Sequence, residues 1–490
     1  MKPNAAALAV QRTTDSIDAT RADARLRWLP LLVLLSGTFM VVLDFFIVNV
    51  AIPSIQHDLH ASAGALQLVV IGYGLANASM LITGGRLGDM HGRRRLFAIG
   101  VALFTVASAA CGLAPSAGTL VAARIAQGIA GALLQPQVLA MLGLLYTGPQ
   151  RARAFAAYGL ALGLAAASGQ VIGGLLIHAD WAGLGWRSCF LINLPIGIAA
   201  LMLTPRVLPA MHASAAGRSR LDLAGMALVA LTLVAAVLPL VQGREQGWPL
   251  WSLVSLAASA PLAAFFWAWQ RRLAARGGQA LVAPSLLAHR PFVLGLVVTL
   301  LFFCGNASLY FVLALYLQQG LGLPPLESGL VFTTLAVGFF ATSMAAPWFA
   351  KRLGRHAIFI GALVLAAGHA GLWALLPAIS AQTVAWMLPM LLIQGYGLGM
   401  VMAPLASAVL AGLPAQHAGV ASGVMATVQQ VGNAVGVALI GLLYYGALAT
   451  HAGADAAPQA LRLSLVDLFV LALAVAALYR HFIRATDHKE

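Results

Sequence analysis

Fourteen long apolar runs, each carrying few or no charges, recur along this 490-residue chain. A run of about 18 or more such residues is long enough to cross a bilayer as a helix. They are expected over 28–52, 64–84, 96–115, 118–143, 153–178, 188–205, 221–241, 249–270, 292–317, 328–350, 356–377, 384–411, 417–446 and 463–483. Strand-type alternation is absent and the runs are rich in Ala, Leu and Gly, which argues against a β-barrel. With 61% hydrophobic residues against 9% charged, too little polar surface remains to cover a water-soluble fold.

The placement of charge tests the count. A net charge of +14 would point to nucleic acid in a soluble protein, but here the basic residues sit in alternate loops between apolar runs. With a cytoplasmic N-terminus, 24 of the 28 Lys and Arg residues fall on the cytoplasmic side. Only Arg187, Arg244 and Arg462 fall on the other side, and Arg124 lies inside a span. That asymmetry is what positive-inside sorting produces, and one span more or fewer would scramble it. The expectation is an all-α protein of the inner membrane with both termini in the cytoplasm and no nucleic-acid partner.

Basic, small-residue stretches around 206–220 and 271–291 set spans 7 and 8 apart and leave six spans on each side. The division reads as a tail (1–27), a six-helix bundle (28–205), a linker with two extra helices (206–291), a second bundle (292–483) and a tail (484–490). The loops GRRRLFAIG (92–100) and GRHAIFIG (354–361) occupy matching places in the two halves, a hint of duplication. Asp222 opens span 7 as a helix cap. Cys111, Cys189 and Cys304 show no metal spacing, so no metal site, disulfide or cofactor is expected.

Several segments resemble the major facilitator superfamily and, within it, the fourteen-span drug:proton antiporter branch. They are GRLGDMHGRRR (85–95) after span 2, LDFFIVNVAIP (43–53) in span 1, RIAQGIAGA (124–132) in span 4 and GLAAASGQVIGG (163–174) in span 5. WRSCFLINLPIG (186–197), LDLAG (221–225), QGWPLW (246–251) and AGVASGVMATVQQVGNAVG (418–436) follow the same order. The resemblance implies the facilitator fold, two pseudo-symmetric six-helix bundles plus the linker pair. It also implies export of drugs or other amphiphiles by alternating access, driven by a proton gradient. Uptake or export of one specific metabolite on the same fold is the alternative, since fold does not fix substrate.

Particular residues carry that expectation. Asp44 and Arg124 stand at similar depth in antiparallel spans and are expected to pair, because intramembrane ions face a bundle interior and find partners. Proton coupling is assigned to them. The loop residues Gly85, Gly88, Asp89, Gly92, Arg93 and Arg94 are expected to gate the cytoplasmic side, with Asp89 capping a helix or meeting a basic partner across the bundles. Gly163, Gly169, Gln170, Gly173 and Gly174 resemble the antiporter motif of span 5. Gln170 stands where proline is common, which puts the bend there in question. Amides and aromatics inside apolar spans, namely Asn49, Gln67, Tyr73, Asn77, Gln127, Gln135, Asn306, Tyr310, Gln394, Gln430 and Asn433, are candidates for a substrate cavity. His369 is expected to be a hydrogen-bonded packing residue. The expected partners are a small-molecule substrate, protons and lipid, the chain working as a monomer; no residue identifies a periplasmic accessory protein.

Overall fold

The computed structural model describes residues 5–210, 221–278, 280–411, 413, 418–451 and 453–487, with side chains described from Trp28 onward apart from scattered positions. The basic residues Lys2, Arg218, Arg220 and Lys489 lie outside the described residues. Among the described residues, fourteen helices are long and apolar enough to span a membrane: α1 (Trp28–Leu59), α2 (Ala63–His91), α3 (Arg93–Gly112), α4 (Ala117–Leu145), α5 (Arg153–Ala179), α6 (Gly185–Val207) and α7 (Leu223–Gln242). They continue as α8 (Leu250–Ala275), α9 (Arg290–Gly320), α10 (Pro325–Met344), α11 (Lys351–Ala378), α12 (Val384–Leu410), α13 (Val420–Thr450) and α14 (Ala456–Arg484).

Several boundaries differ from the sequence expectation, α2 running on to His91 and α14 starting at Ala456 among them. Helix 1 is continuous from Ala5 to Leu59, so the polar tail and first span share one helix. It also runs seven residues past the expected end at 52, through Pro53. A proline inside a membrane helix is tolerated where neighbours satisfy the freed carbonyl. Gln318 Nε2 donates to the Val50 carbonyl at 3.0 Å, in the turn before the proline. In the other direction α10 stops at Met344, not 350, and a short helix Ala346–Leu353 follows. Pro347 lacks the amide needed to continue the ladder.

The packing repeats itself. In the N-terminal half α1 packs on α5 and α6, and α4 on α2 and α3, with α3 on α6. In the C-terminal half α9 packs on α13 and α14, and α12 on α10 and α11, with α11 on α14. Adding eight to each label of the first set generates the second. The halves meet in two symmetry-related contacts, α5 with α10 and α2 with α13.

Glycine makes the α5–α10 contact close. A Cβ on Gly174 would lie 2.6 Å from the Pro325 carbonyl, and one on Gly329 would lie 2.6 Å from that of Gln170. Close backbone approach of this kind replaces the hydrophobic drive that lipid removes. Side-chain hydrogen bonds also cross between halves. Gln67 Nε2 donates to the Val437 carbonyl at 3.1 Å, and Gln318 Nε2 to that of Val50. Gln319 Nε2 donates to Gln56 Oε1 at 2.6 Å, and Gln430 Nε2 to Asn77 Oδ1 at 3.1 Å. The first three lie toward the end of the molecule where α1 turns into α2.

The linker pair breaks the symmetry. Helix α7 lies on α2 and α13, covering one cross-half contact, and α8 packs mainly on α7. Asp222 caps α7 by accepting from the Gly225 amide at 2.8 Å. It also ties the pair together, accepting from Trp269 Nε1 at 2.9 Å and Gln270 Nε2 at 2.7 Å.

Candidate functional site

Two ionisable side chains lie in the interior of the N-terminal half, both fully buried. Arg124 Nη1 donates to Asp44 Oδ2 in a direct ion pair with no exposed side-chain surface on either partner. Helices α1 and α4 run in opposite directions, which lets one residue from each meet at a common depth although α1 is longer than expected.

The pair is knitted into five helices, α1, α2, α3, α4 and α6. Gln127 Nε2 donates to Asp44 Oδ1 at 2.8 Å and to Ser108 Oγ at 3.0 Å. Asn193 Nδ2 donates to the same two atoms at 3.0 and 2.9 Å. Ser108 passes its own proton to the Phe190 carbonyl at 3.0 Å. On the other side Arg124 Nε donates to the Val69 carbonyl at 3.0 Å, Nη1 donates to Gln127 Oε1 at 2.7 Å, and the guanidinium lies 4.3 Å from the centre of the Tyr73 ring. Ionised groups out of water persist only when paired and hydrogen-bonded this fully. One donor, Arg124 Nη2, has no hydrogen-bond partner.

Ser108 and Asn193 were not singled out by sequence reasoning. Asn193 sits in the quoted segment WRSCFLINLPIG, where an amide in an apolar run is a usable signal. Ser108 gives none, because a small hydroxyl in a membrane helix ordinarily bonds its own backbone.

The expected gating loop is tied down on its own side. Asp89 accepts from Arg93 Nη2 at 2.5 Å within the loop and not from a partner across the bundles. Both side chains are partly exposed, so water competes with the pair. Arg94 Nη1 donates to the Leu208 carbonyl at 3.0 Å, clipping the end of α6, and Arg86 reaches the Ala280 carbonyl after α8. Gly92, at φ 90°, makes the turn into α3. At Gly88 a Cβ would fall 1.9 Å from Gln137 Oε1, so a larger residue would displace the amide that bonds the Gly84 carbonyl. Gly85 meets only Pro136, at an ordinary 3.6 Å.

In the span-5 motif, Gly169 and Gly173 face α1, where added Cβ atoms would lie 3.0 Å from Phe46 and 2.5 Å from Val50. Gly163 and Gly174 face α10. Gln170 Nε2 donates to the Phe46 carbonyl at 3.0 Å, so the amide standing in for proline binds α1 two residues beyond Asp44.

The cavity candidates separate. Gln127 and Tyr73 belong to the charged cluster. Asn49 bonds the Phe45 and Phe46 carbonyls of its own helix, and Gln67 is buried in the α2–α13 contact. Gln394 bonds the Gly368 carbonyl at 3.1 Å inside the C-terminal half. Asn77, Gln430 and Asn433 form an amide chain between halves, with Asn433 Nδ2 donating to Gln430 Oε1 at 2.9 Å. Tyr310 stacks on Phe332 and meets Phe46 across the bundles, with ring centres 5.6 and 5.0 Å apart. Gln135 is half-buried. Asn306 and His369 line a cavity of about 10 Å³ in the C-terminal half, with Leu301, Phe302 and Leu398 among its walls. His369 Nδ1 has no hydrogen-bond partner, contrary to the expected bonded packing role.

Among known proteins, the chain is 40% identical to the probable actinorhodin transporter of Streptomyces coelicolor, over 88% of this chain and 74% of that protein. It is 37% identical to the puromycin resistance protein pur8 of Streptomyces alboniger, over 87% and 83%. A solved structure of a bacterial homolog of the human lysosomal transporter Spinster, inward-facing and unoccupied, superposes with a TM-score of 0.66 at 17% identity, over 94% and 97%. That likeness bears on the fold alone. The sequence model of the Major Facilitator Superfamily matches residues 34–437, so this chain belongs to that superfamily and is a membrane transporter, not an enzyme.

Proposed function

We propose that the protein exports drugs or other amphipathic organic compounds in exchange for protons, by alternating access of two bundles about a site near the membrane midplane. The relatives named as a probable actinorhodin transporter and a puromycin resistance protein support the export reading. The observation that carries proton coupling is the fully buried Asp44–Arg124 pair. In a low-dielectric interior the Asp44 carboxylate has two ways to be neutralised, the guanidinium or a proton. A bundle motion that parts the ions exchanges one for the other. No cofactor enters this scheme, and the proton gradient is the energy source.

The protein sits in the inner membrane as a monomer with both termini in the cytoplasm, so the α1–α2 end faces outward. The cross-half bonds of Gln67, Gln318 and Gln319 then close the outer side. The gating loop, held to Arg93 and to the α6 end, lies on the cytoplasmic side, where Asp89 is free to exchange Arg93 for a partner on the other bundle when that side closes.

Inverted vesicles test the proposal. Wild-type protein moves substrate when a pH gradient is imposed and stops when it is collapsed, whereas Asp44→Asn retains membrane insertion but loses the gradient-driven component. Gradient-driven transport by Asp44→Asn at the wild-type rate removes Asp44 from the mechanism.

A further inference from the structure

The α7–α8 hairpin lies over one of the two cross-half contacts, and its connection touches both halves there. The chain turns tightly at Gly247 and Trp248, with φ of 71° and 57°, and Trp248 N donates to the Gly243 carbonyl at 2.6 Å. Trp251 Nε1 donates to Gln246 Oε1 at 2.9 Å, bracing the same turn. Two adjacent side chains leave this braced turn for opposite halves. Arg244 Nη1 donates to the Tyr445 carbonyl of α13 at 2.8 Å. Glu245 takes the start of α2: Oε1 accepts from the Gly64 amide at 2.6 Å and Oε2 from Ser62 Oγ at 3.0 Å. Gly64 leaves room for it, since a Cβ there would stand 2.7 Å from Glu245 Oε2.

From this geometry we infer that Arg244 and Glu245 are positioning residues of the transport cycle. They staple α2 to α13 while the α1–α2 end is closed, and the hairpin stays with the N-terminal half when that end opens. Parting α2 from α13 requires one side of the staple to let go. Glu245 places a carboxylate on free amides at a helix N-terminus and makes two charge-assisted bonds. Arg244 makes one hydrogen bond, to the carbonyl of an intact helix. The weaker side is Arg244, so release occurs at α13. This reading rests on the alternating-access proposal and assigns the linker pair a place in it.

Distances between spin labels test it on full-length protein in lipid nanodiscs, with Cys111, Cys189 and Cys304 replaced and labels placed at His60→Cys and His451→Cys. Neither substrate nor a proton gradient is needed, so failure of export leaves the result readable. Arg244→Ala is expected to raise the ratio of long to short distances about tenfold, the equivalent of one charge-assisted bond. Gly64→Ala, which crowds the carboxylate without removing a charge, shifts it the same way. A purely structural role lowers the melting temperature and leaves the distances alone. Distributions of both variants that coincide with wild type overturn the staple. A second label pair, Leu250→Cys with His60→Cys, keeps its distance in Arg244→Ala if the hairpin rides with the N-terminal half; lengthening there overturns the direction of release.

Discussion

The two halves are built alike and filled differently. Gly169 abuts Leu43, Phe46 and Ile47 of α1 as Gly432 abuts Leu300, Phe303 and Cys304 of α9. Gly128 meets the Tyr73 carbonyl as Gly395 meets that of Leu335. These contacts, with the aligned loops ending at Gly100 and Gly361, put the halves in register. In that register Gln127 corresponds to Gln394 and Asn49 to Asn306. Asp44 corresponds to Leu301, Arg124 to Leu391 and Ser108 to His369. One half buries an ion pair where the other places two leucines, Leu391 fully buried and Leu301 partly buried, on the same scaffold. The charge is therefore not something the fold requires, which favours a working role for it over a structural one.

The sharpest way to break the comparison is to unbalance the ion pair. Arg124→Leu leaves Asp44 buried alone and is expected to cost about 3–5 kcal/mol. A thermal-shift measurement in detergent reads the loss, and gradient-driven transport disappears with it. Converting both residues, Asp44→Leu with Arg124→Leu, copies the C-terminal half into the N-terminal one. The double variant is expected to recover most of the melting temperature and none of the proton-driven transport. Recovery of both would remove the pair from the proton mechanism; recovery of neither would mean the network, not its charge balance, holds the bundle.

The matched glycines test the register itself. A Cβ would lie 2.3 Å from a carbonyl at Gly128 and 2.2 Å at Gly395. Gly128→Ala and Gly395→Ala should each destabilise by about 1–3 kcal/mol, because overpacking a tight contact forces backbone to shift. Equal costs sharpen the correspondence, and a tolerated change in one half alone would break it.

Much of this could be read before any coordinates, for physical reasons that also explain what could not. Fourteen spans were legible because length and apolar content decide whether a helix crosses a bilayer. Asp44 and Arg124 stood out because ions inside such runs are rare. The end of α1 was misread because Pro53, Gln56, His57 and Asp58 look like a terminus, while the helix in fact continues through them to Leu59. Arg187, Arg244 and Arg462 showed only as exceptions to the charge rule. Each has a local partner: Asp58 for Arg187, the Tyr445 carbonyl for Arg244, and the Trp373 ring, 4.5 Å away, for Arg462. Ser108 stayed hidden because its role depends on which helices surround it.

The smallest expected effect concerns the matched pair Ser108 and His369. Ser108 accepts two amide protons in the charged cluster, so Ser108→Ala leaves Gln127 and Asn193 each short of one acceptor. About 1–2 kcal/mol should be lost, with a weaker hold on Asp44 that appears as slower gradient-driven transport. His369 carries a ring nitrogen without a partner in an apolar cavity, and a buried polar atom left unpaired is a cost that an apolar residue avoids. His369→Leu should therefore change stability by less than about 1 kcal/mol and leave the pH dependence of transport as it is. A lost or shifted pH profile in His369→Leu would place a second protonatable group in the C-terminal half, and the division of labour between the halves would no longer hold.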